Sequence, residues 1–238
     1  MNNNDFIRAI EQSFVEFIKS GTSRSTRKLA PLHGAIAHDM SERLGLDYTI
    51  WSQGFGNNKE GKIAGRYIDK KVDISIFHKK VPVCGIAVKF VMQNYSQNSN
   101  NYFENMLGET ANIRASRCPY FQIFIIPDKL PYYEKDGTFK HWETFTDNNI
   151  HKYSILDRDN PDLSFHSPNK TLIYVLRLPD TGRISSKDEY RDFFLELFDN
   201  QGQNGFIDVA TPVSFNNSVI LNDYAEFSDK VFHTVKAL

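Results

Sequence analysis

Cysteine is nearly absent: Cys84 and Cys118 are the two in 238 residues. Each falls in or beside a predicted strand, so buried free thiols are expected, and no recurring ligand spacing with the histidines suggests a zinc site. Apolar runs of the ~20 residues that a membrane span requires are missing as well. The opening "MNNNDFIRAIEQSF" lacks the basic-then-apolar order of a secretory signal, and a cytoplasmic location is the expectation. Excess charge is the third absence. Twenty-eight Lys and Arg stand against 29 Asp and Glu, a formal net charge of −1, so composition does not advertise a partner for polyanions. A basic cleft balanced by acidic surface elsewhere stays possible on such figures. No repeat or long linker divides the chain, which reads as one domain over 1–238.

The apolar fraction, 40%, is ordinary for a globular protein with a real core. Phe6, Ile10, Phe14, Phe17 and Ile18 recur at helical spacing over 4–20, and Leu29, Leu32, Ile36, Met40 and Leu44 over 27–45. Pro31 suits the first turn of that second helix and Gly45 its end. "LDYTIWSQGF" reads as a strand and "GNNKEGKIAG" as a polar loop. In "KKVDISIF" Val72, Ile74 and Ile76 alternate with Asp73 and Ser75, as in a half-buried strand. In "VPVCGIAVKF" Ile86, Val88 and Phe90 face one way, and Gly85, Ala87 and Lys89 the other. A helix over about 99–116, capped by Asn98 or Ser99, turns Phe103, Met106, Thr110 and Ile113 inward. "PYFQIFIIPD" and "KTLIYVLRLPD" read as buried strands. Between them a short helix fits 141–156, and helices fit 186–200 and the "DYAEFSDKVFHTV" tail. Helices around strands in this order predict an α/β or α+β fold with a mixed β-sheet flanked by helices.

Asp73 and Lys89, sixteen residues apart on consecutive strands, carry the chemistry. If the strands pair, both side chains converge on one face, and the backbone carbonyl of Val88 points into the same site. The pair reads equally as a cross-strand ion pair at a sheet rim. A carboxylate facing a phosphate is repelled, by about 4 kcal/mol for unit charges 4 Å apart at an effective dielectric of 20. A divalent cation reverses that sign and acidifies bound water. A lysine adds fixed positive charge and orients the water. Oxygen ligands of this kind select Mg²⁺, with Mn²⁺ as substitute.

The succession of Asp73, "GIAVKF", the helix "NNYFENMLGETANIRA" and the strand "FQIFIIP" resembles the core of the PD-(D/E)XK nuclease superfamily, and within it a type II restriction endonuclease. The resemblance covers about 27–127 and leaves 128–238 as a C-terminal elaboration. It implies a restriction-endonuclease-like core and Mg²⁺-dependent, sequence-specific cleavage of double-stranded DNA. Asp73 matches the first acidic position, with Val72 in place of the usual proline, and Lys89 matches the last. The family also suggests an acidic residue from the preceding helix, for which Glu42 is the best match. Ala87 stands where the family carries an acid. Three readings follow. An acidic residue has been replaced in this chain; or the carboxylate has migrated to the following helix, as Glu104, with Glu109 a little over a turn later; or the protein is a catalytically silent DNA-binding protein on the same fold. In the migrated reading Asp73, the Val88 carbonyl and Glu104 hold the metal.

Directly after the catalytic strand the chain is rich in amides. Gln93, Asn94, Gln97 and Asn98 suit adenine edges or phosphates. The basic runs Arg24, Arg27, Lys28 and Lys79, Lys80 suit phosphate clamps, although solvated surface is the plainer account of each. A palindromic target calls for a homodimer. A restriction enzyme further implies a companion DNA methyltransferase gene. A nuclease of defence or repair without site specificity is the remaining possibility.

Overall fold

The computed structural model describes residues 1–20, 26–201, 205–209 and 214–238, leaving out the side chains of 26, 27, 96, 97, 147 and 201. Arg24 therefore lies outside the described residues, as do the side chains of Arg27 and Gln97. Helix α1 (Asn3–Ser20) buries Phe6, Ile10, Phe14, Phe17 and Ile18 on one stripe. A 3₁₀ turn (Thr26–Leu29) leads into α2 (Ala30–Leu44). Pro31 occupies its first turn, where a missing N–H breaks no helical bond. Gly45, at φ +82°, closes it and donates its N–H to the Ser41 carbonyl at 3.0 Å.

The strands follow: β1 (Tyr48–Ser52), β2 (Gly61–Ile63), β3 (Lys70–Val72), β4 (Ile74–His78) and β5 (Val81–Phe90). Next come α3 (Tyr95–Arg114), β6 (Tyr120–Pro127), the hairpin β7 (Lys129–Tyr133) and β8 (Phe139–Thr144), and α4 (Asp147–Arg158). The chain ends with β9 (Thr171–Arg177), α5 (Lys187–Gln201), β10 (Ile207–Asp208), β11 (Val219–Leu221) and α6 (Tyr224–Lys236). Among the described residues seven strands form the main sheet, in the order β1-β4-β5-β6-β9-β10, with β11 also on β9. Strands β1, β4 and β5 pair antiparallel, and β5, β6 and β9 pair parallel. The fold is α+β, a mixed central sheet flanked by helices.

The strand order departs from the sequence reading at one run. The run "KKVDISIF" is not one strand. It breaks at Asp73, and β3 pairs with β2 in a separate two-stranded sheet built partly from the expected loop. The alternation of Val72, Ile74 and Ile76 is satisfied in two places: Val72 is buried in a small cluster with Ile63, Ile113, Cys118 and Tyr120, while Ile74 and Ile76 enter the main core. Residues 128–238 supply β9, the neighbour of β6 in the main sheet.

Strand alternation fixes what each sheet face meets. Phe90 packs on Phe14 of α1, Tyr174 on Phe6, and Phe121 on Phe227 of α6. Helices α1, α2 and α6, which contact one another, cover this face. Residues one step out of phase look the other way: Phe124 packs on Tyr153 of α4, and Lys89 lies over Tyr102 of α3. Both cysteines are free and buried, and burial pushes both thiols up, Cys118 to about 12. Among the described residues, no helix is long and apolar enough to cross a membrane.

Candidate active site

Strands β4 and β5 pair in register from Ile74↔Ile86 onward, which brings Asp73, the residue before β4, beside Ala87. There the chain swings away into β3, so the following stretch of β5 has lost its neighbour on that side. The Asp73 side chain takes over. Its Oδ2 accepts the Val88 N–H at 2.8 Å. The Gly85 N–H points the other way, to the Pro119 carbonyl at the start of β6. An extended residue sends its N–H and C=O to the same side, so the Val88 carbonyl also faces the edge that β4 has left.

A pocket of about 210 Å³ opens on the face of Ala87 and Lys89. Asp73, Lys89, Tyr102, Glu109 and Gln122 line it, together with Asn105 and Phe124. Lys89 is half-buried, with Nζ 4.0 Å from the centroid of the Tyr102 ring. Burial lowers its proton affinity and the field of Asp73 opposes that shift. Lys28, in the 3₁₀ turn, is also lowered, by burial and then by the charge of Lys89, so the two ammonium groups share one field. Glu109 accepts from the Tyr120 hydroxyl and from Lys70 Nζ, the latter at 3.0 Å. Asp73 is pushed up to about 6. Burial is the main cause, opposed by the Val88 N–H; Glu109 raises it further and Lys89 lowers it.

The sequence-derived site thus divides. Asp73, Ala87, Val88 and Lys89 come together. Glu104 does not join them: it is exposed on α3, and the acid lining the pocket is Glu109. Helix geometry gives the reason. At 100° per residue Glu104 points about 160° from the buried Met106, whereas Glu109 lies about 60° from it. The stripe Tyr102, Asn105, Met106, Glu109 at i, i+3, i+4 and i+7 was the available signal. Gln122, opposite Ala87 in the parallel register, had none, since an amide in an apolar strand reads as core. Glu42 is likewise exposed, with His38 Nδ1 at 3.6 Å, on a helix that covers the other sheet face.

The expected DNA contacts are scattered. Lys79 and Lys80 form the tight β4–β5 turn with φ of +48° and +68°. That turn is six strand residues, about 20 Å, from Asp73. Gln93 and Asn94 border a different pocket, lined also by Tyr132, Tyr133 and Lys187. Asn98 lies within α3 and donates to the Asn94 carbonyl at 3.2 Å. Neither Asn98 nor Ser99 caps that helix, because α3 begins at Tyr95, whose N–H is taken by Glu143 of β8 at 2.7 Å.

Among the described residues no group of three or more His, Cys, Asp or Glu side chains gathers as a metal site. What the pocket offers a cation is two carboxylates and backbone or amide oxygen. No family model, no curated protein and no solved structure matches the chain.

Proposed function

We propose that this chain is a divalent-cation-dependent endonuclease of the PD-(D/E)XK type acting on double-stranded DNA, and within that type a restriction enzyme. The observation that carries the reading is the junction at Asp73. One strand ends its pairing there, and the vacated edge presents a carboxyl, a backbone carbonyl and, on the adjoining face, a lysine and a second carboxyl. The donors are oxygens throughout, in an open pocket. That set fits Mg²⁺ or Mn²⁺, which take one or two carboxylates and fill the rest with water and substrate oxygens. Asp73 and the Val88 carbonyl would hold the ion, with Glu109 as the second acid.

Bound there, the cation supplies charge neutralisation for the phosphodiester and a water of lowered pKa. Asp73 acts as a carboxylate, held in place by the Val88 N–H. Lys89 stays positive and orients water against the phosphate, its position kept by the Tyr102 ring. Glu109 is held in place by its pair with Lys70. In this reading the missing acid at 87 is replaced from α3, by Glu109 rather than Glu104, and the chain cuts as it stands.

The test is cleavage of supercoiled plasmid in Mg²⁺ and in Mn²⁺. Discrete bands are expected from the unaltered chain and a smear from a nuclease without site specificity. Asp73→Asn, Lys89→Ala and Glu109→Gln should each lose about 100-fold or more, the usual cost of removing a positioned catalytic group. Glu104→Ala should cut normally. The enzyme reading fails if neither this chain nor Ala87→Glu cuts in either metal.

Ala87 itself favours a second reading, a DNA-binding protein that does not cut. It predicts retention of duplex DNA that is indifferent to divalent metal and to Asp73→Asn. Under the first reading a palindromic site requires a homodimer, visible by sedimentation with DNA, and a methyltransferase gene is expected nearby.

A further inference from the structure

Beyond Lys70, which pairs with Glu109, the β2–β3 hairpin takes no part in the chemistry above, yet it is unusual in charge, surface and rigidity. From Lys59 to Lys71 five basic side chains stand against two acidic, in a chain of formal net charge −1. Lys62 is engaged by Asp69 at 2.7 Å and Lys70 by Glu109 at 3.0 Å, while Arg66 and Lys71 extend into solvent. At the tip two large apolar side chains stand in water, Tyr67 at 84% exposure and Ile68 at 62%.

The tip is also locked. The Arg66 N–H donates to the Asn112 carbonyl at 2.7 Å. The Tyr67 and Ile68 N–H groups donate to Asn112 Oδ1 at 2.9 and 3.2 Å, and Asn112 Nδ2 donates to the Ile68 carbonyl at 2.7 Å. Gly65 is needed beneath this clamp, since a Cβ there would lie 2.0 Å from Asn112 Nδ2. Asn112 is buried on α3, three residues past Glu109, or about 4.5 Å of helix rise. The tip therefore stands beside the pocket of Asp73 and Glu109.

Apolar side chains on a loose loop invite no comment. On a backbone fixed by four hydrogen bonds they are presented at one geometry, and binding them costs little further ordering. The neighbouring cations select a polyanion. We propose that Tyr67 and Ile68 form a rigid wedge that enters the minor groove of a duplex whose backbone lies in the Asp73–Glu109 pocket, with Arg66 and Lys71 on flanking phosphates. The inference rests on the DNA reading above and names the element that grips the duplex.

The experiment is fluorescence polarisation of a labelled, mixed-sequence duplex of about 30 bp, using the full chain in EDTA and again in Ca²⁺. Tyr67→Ala/Ile68→Ala should weaken binding about tenfold or more, with an unchanged thermal midpoint because both side chains are exposed. Tyr67→Phe should restore most of it. Arg66→Gln/Lys71→Gln should lower the slope of log Kd against log salt by about 2, near 0.9 for each phosphate contact. Duplex binding that both double variants leave unchanged overturns the wedge and leaves the DNA reading standing. An unaltered chain that binds no duplex in either condition overturns both. The wedge is overturned too if the tip substitutions change only self-association, seen by sedimentation, because the tip would then be a protein contact.

Discussion

A carboxylic acid that holds its proton up to about pH 6 weakens the fold once it ionises. Asp73 is such a group, compared with 3.8 for an unperturbed aspartate. Below about pH 4 folded and unfolded chains both carry the proton. Between 4 and 6 the folded chain keeps it and the unfolded chain releases it, so stability falls as pH rises. Above 6 the full cost, on the order of 2–3 kcal/mol, is in place. Asp73→Asn keeps an oxygen for the Val88 N–H and removes the charge. The variant is therefore expected to melt higher than the unaltered chain at pH 8, with the gap closing toward pH 4. Mg²⁺ should raise the midpoint of the unaltered chain at pH 8 and leave the variant's alone. A thermal series in pH and metal decides both. Lys89 was legible because strand alternation of period two sets its face without tertiary knowledge, whereas Asp73 sits at the break between β3 and β4 and was singled out by the resemblance. Glu109 was not, because choosing it over Glu104 requires the phase of α3, which buried Met106 and Ile113 reveal only once packed.

At the scale of elements, amplitude of apolar pattern decided what could be read. Helices α1 and α6, with clean stripes and an Asp223 side chain accepting the Glu226 N–H, match expectation closely. Helix α3 begins four residues before its expected start. Its first residues, "YSQN", carry little apolar signal, and the group that ends it comes from 48 residues away: Glu143 Oε2 accepts the Tyr95 N–H. No local pattern announces a cap supplied by another strand. Glu143 is 8% exposed, so the bond is shielded from solvent. Glu143→Ala should therefore destabilise by about 1–2 kcal/mol, the range of a lost N-cap, and Glu143→Gln by less because an acceptor remains. Urea denaturation measures the difference, and equal stability of all three chains would show that α3 needs no such cap. The break at Asp73 was hidden for a related reason. One run of alternating residues serves two sheets, and sequence carries alternation but not the identity of the partner strand.

The whole molecule shows why the resemblance over 27–127 does not mark out a folding unit. Strand β6 is buried at all eight positions, which demands cover on both faces and pairing on both edges. Only β5 lies within 27–127 as a neighbour; the other edge is β9, and Gln122 to Pro127 pair with Thr171 to Leu176. One face is covered by α1 and α6, through Phe6 on Tyr174 and Phe121 on Phe227. The two helices are tied to each other where Asn3 Oδ1 accepts the Tyr224 N–H at 2.7 Å, joining the first and last parts of the chain. A fragment of 27–127 would expose the apolar outer edge of its central strand and the part of the face that α1 and α6 cover. Each large apolar side chain so uncovered forfeits about 1.5–3 kcal/mol, and stripping several exceeds the 5–15 kcal/mol by which domains are stable. The fragment is expected to be unfolded or aggregated, with flat near-ultraviolet dichroism and narrow amide proton dispersion. A fragment of 27–171 should fail equally, since it reaches β9 without containing it, whereas the full chain should give dispersed amide signals. A folded, monomeric 27–127 would show that the strands carrying Asp73 and Lys89 hold their geometry without β9, and would detach the candidate site from the rest of the sheet.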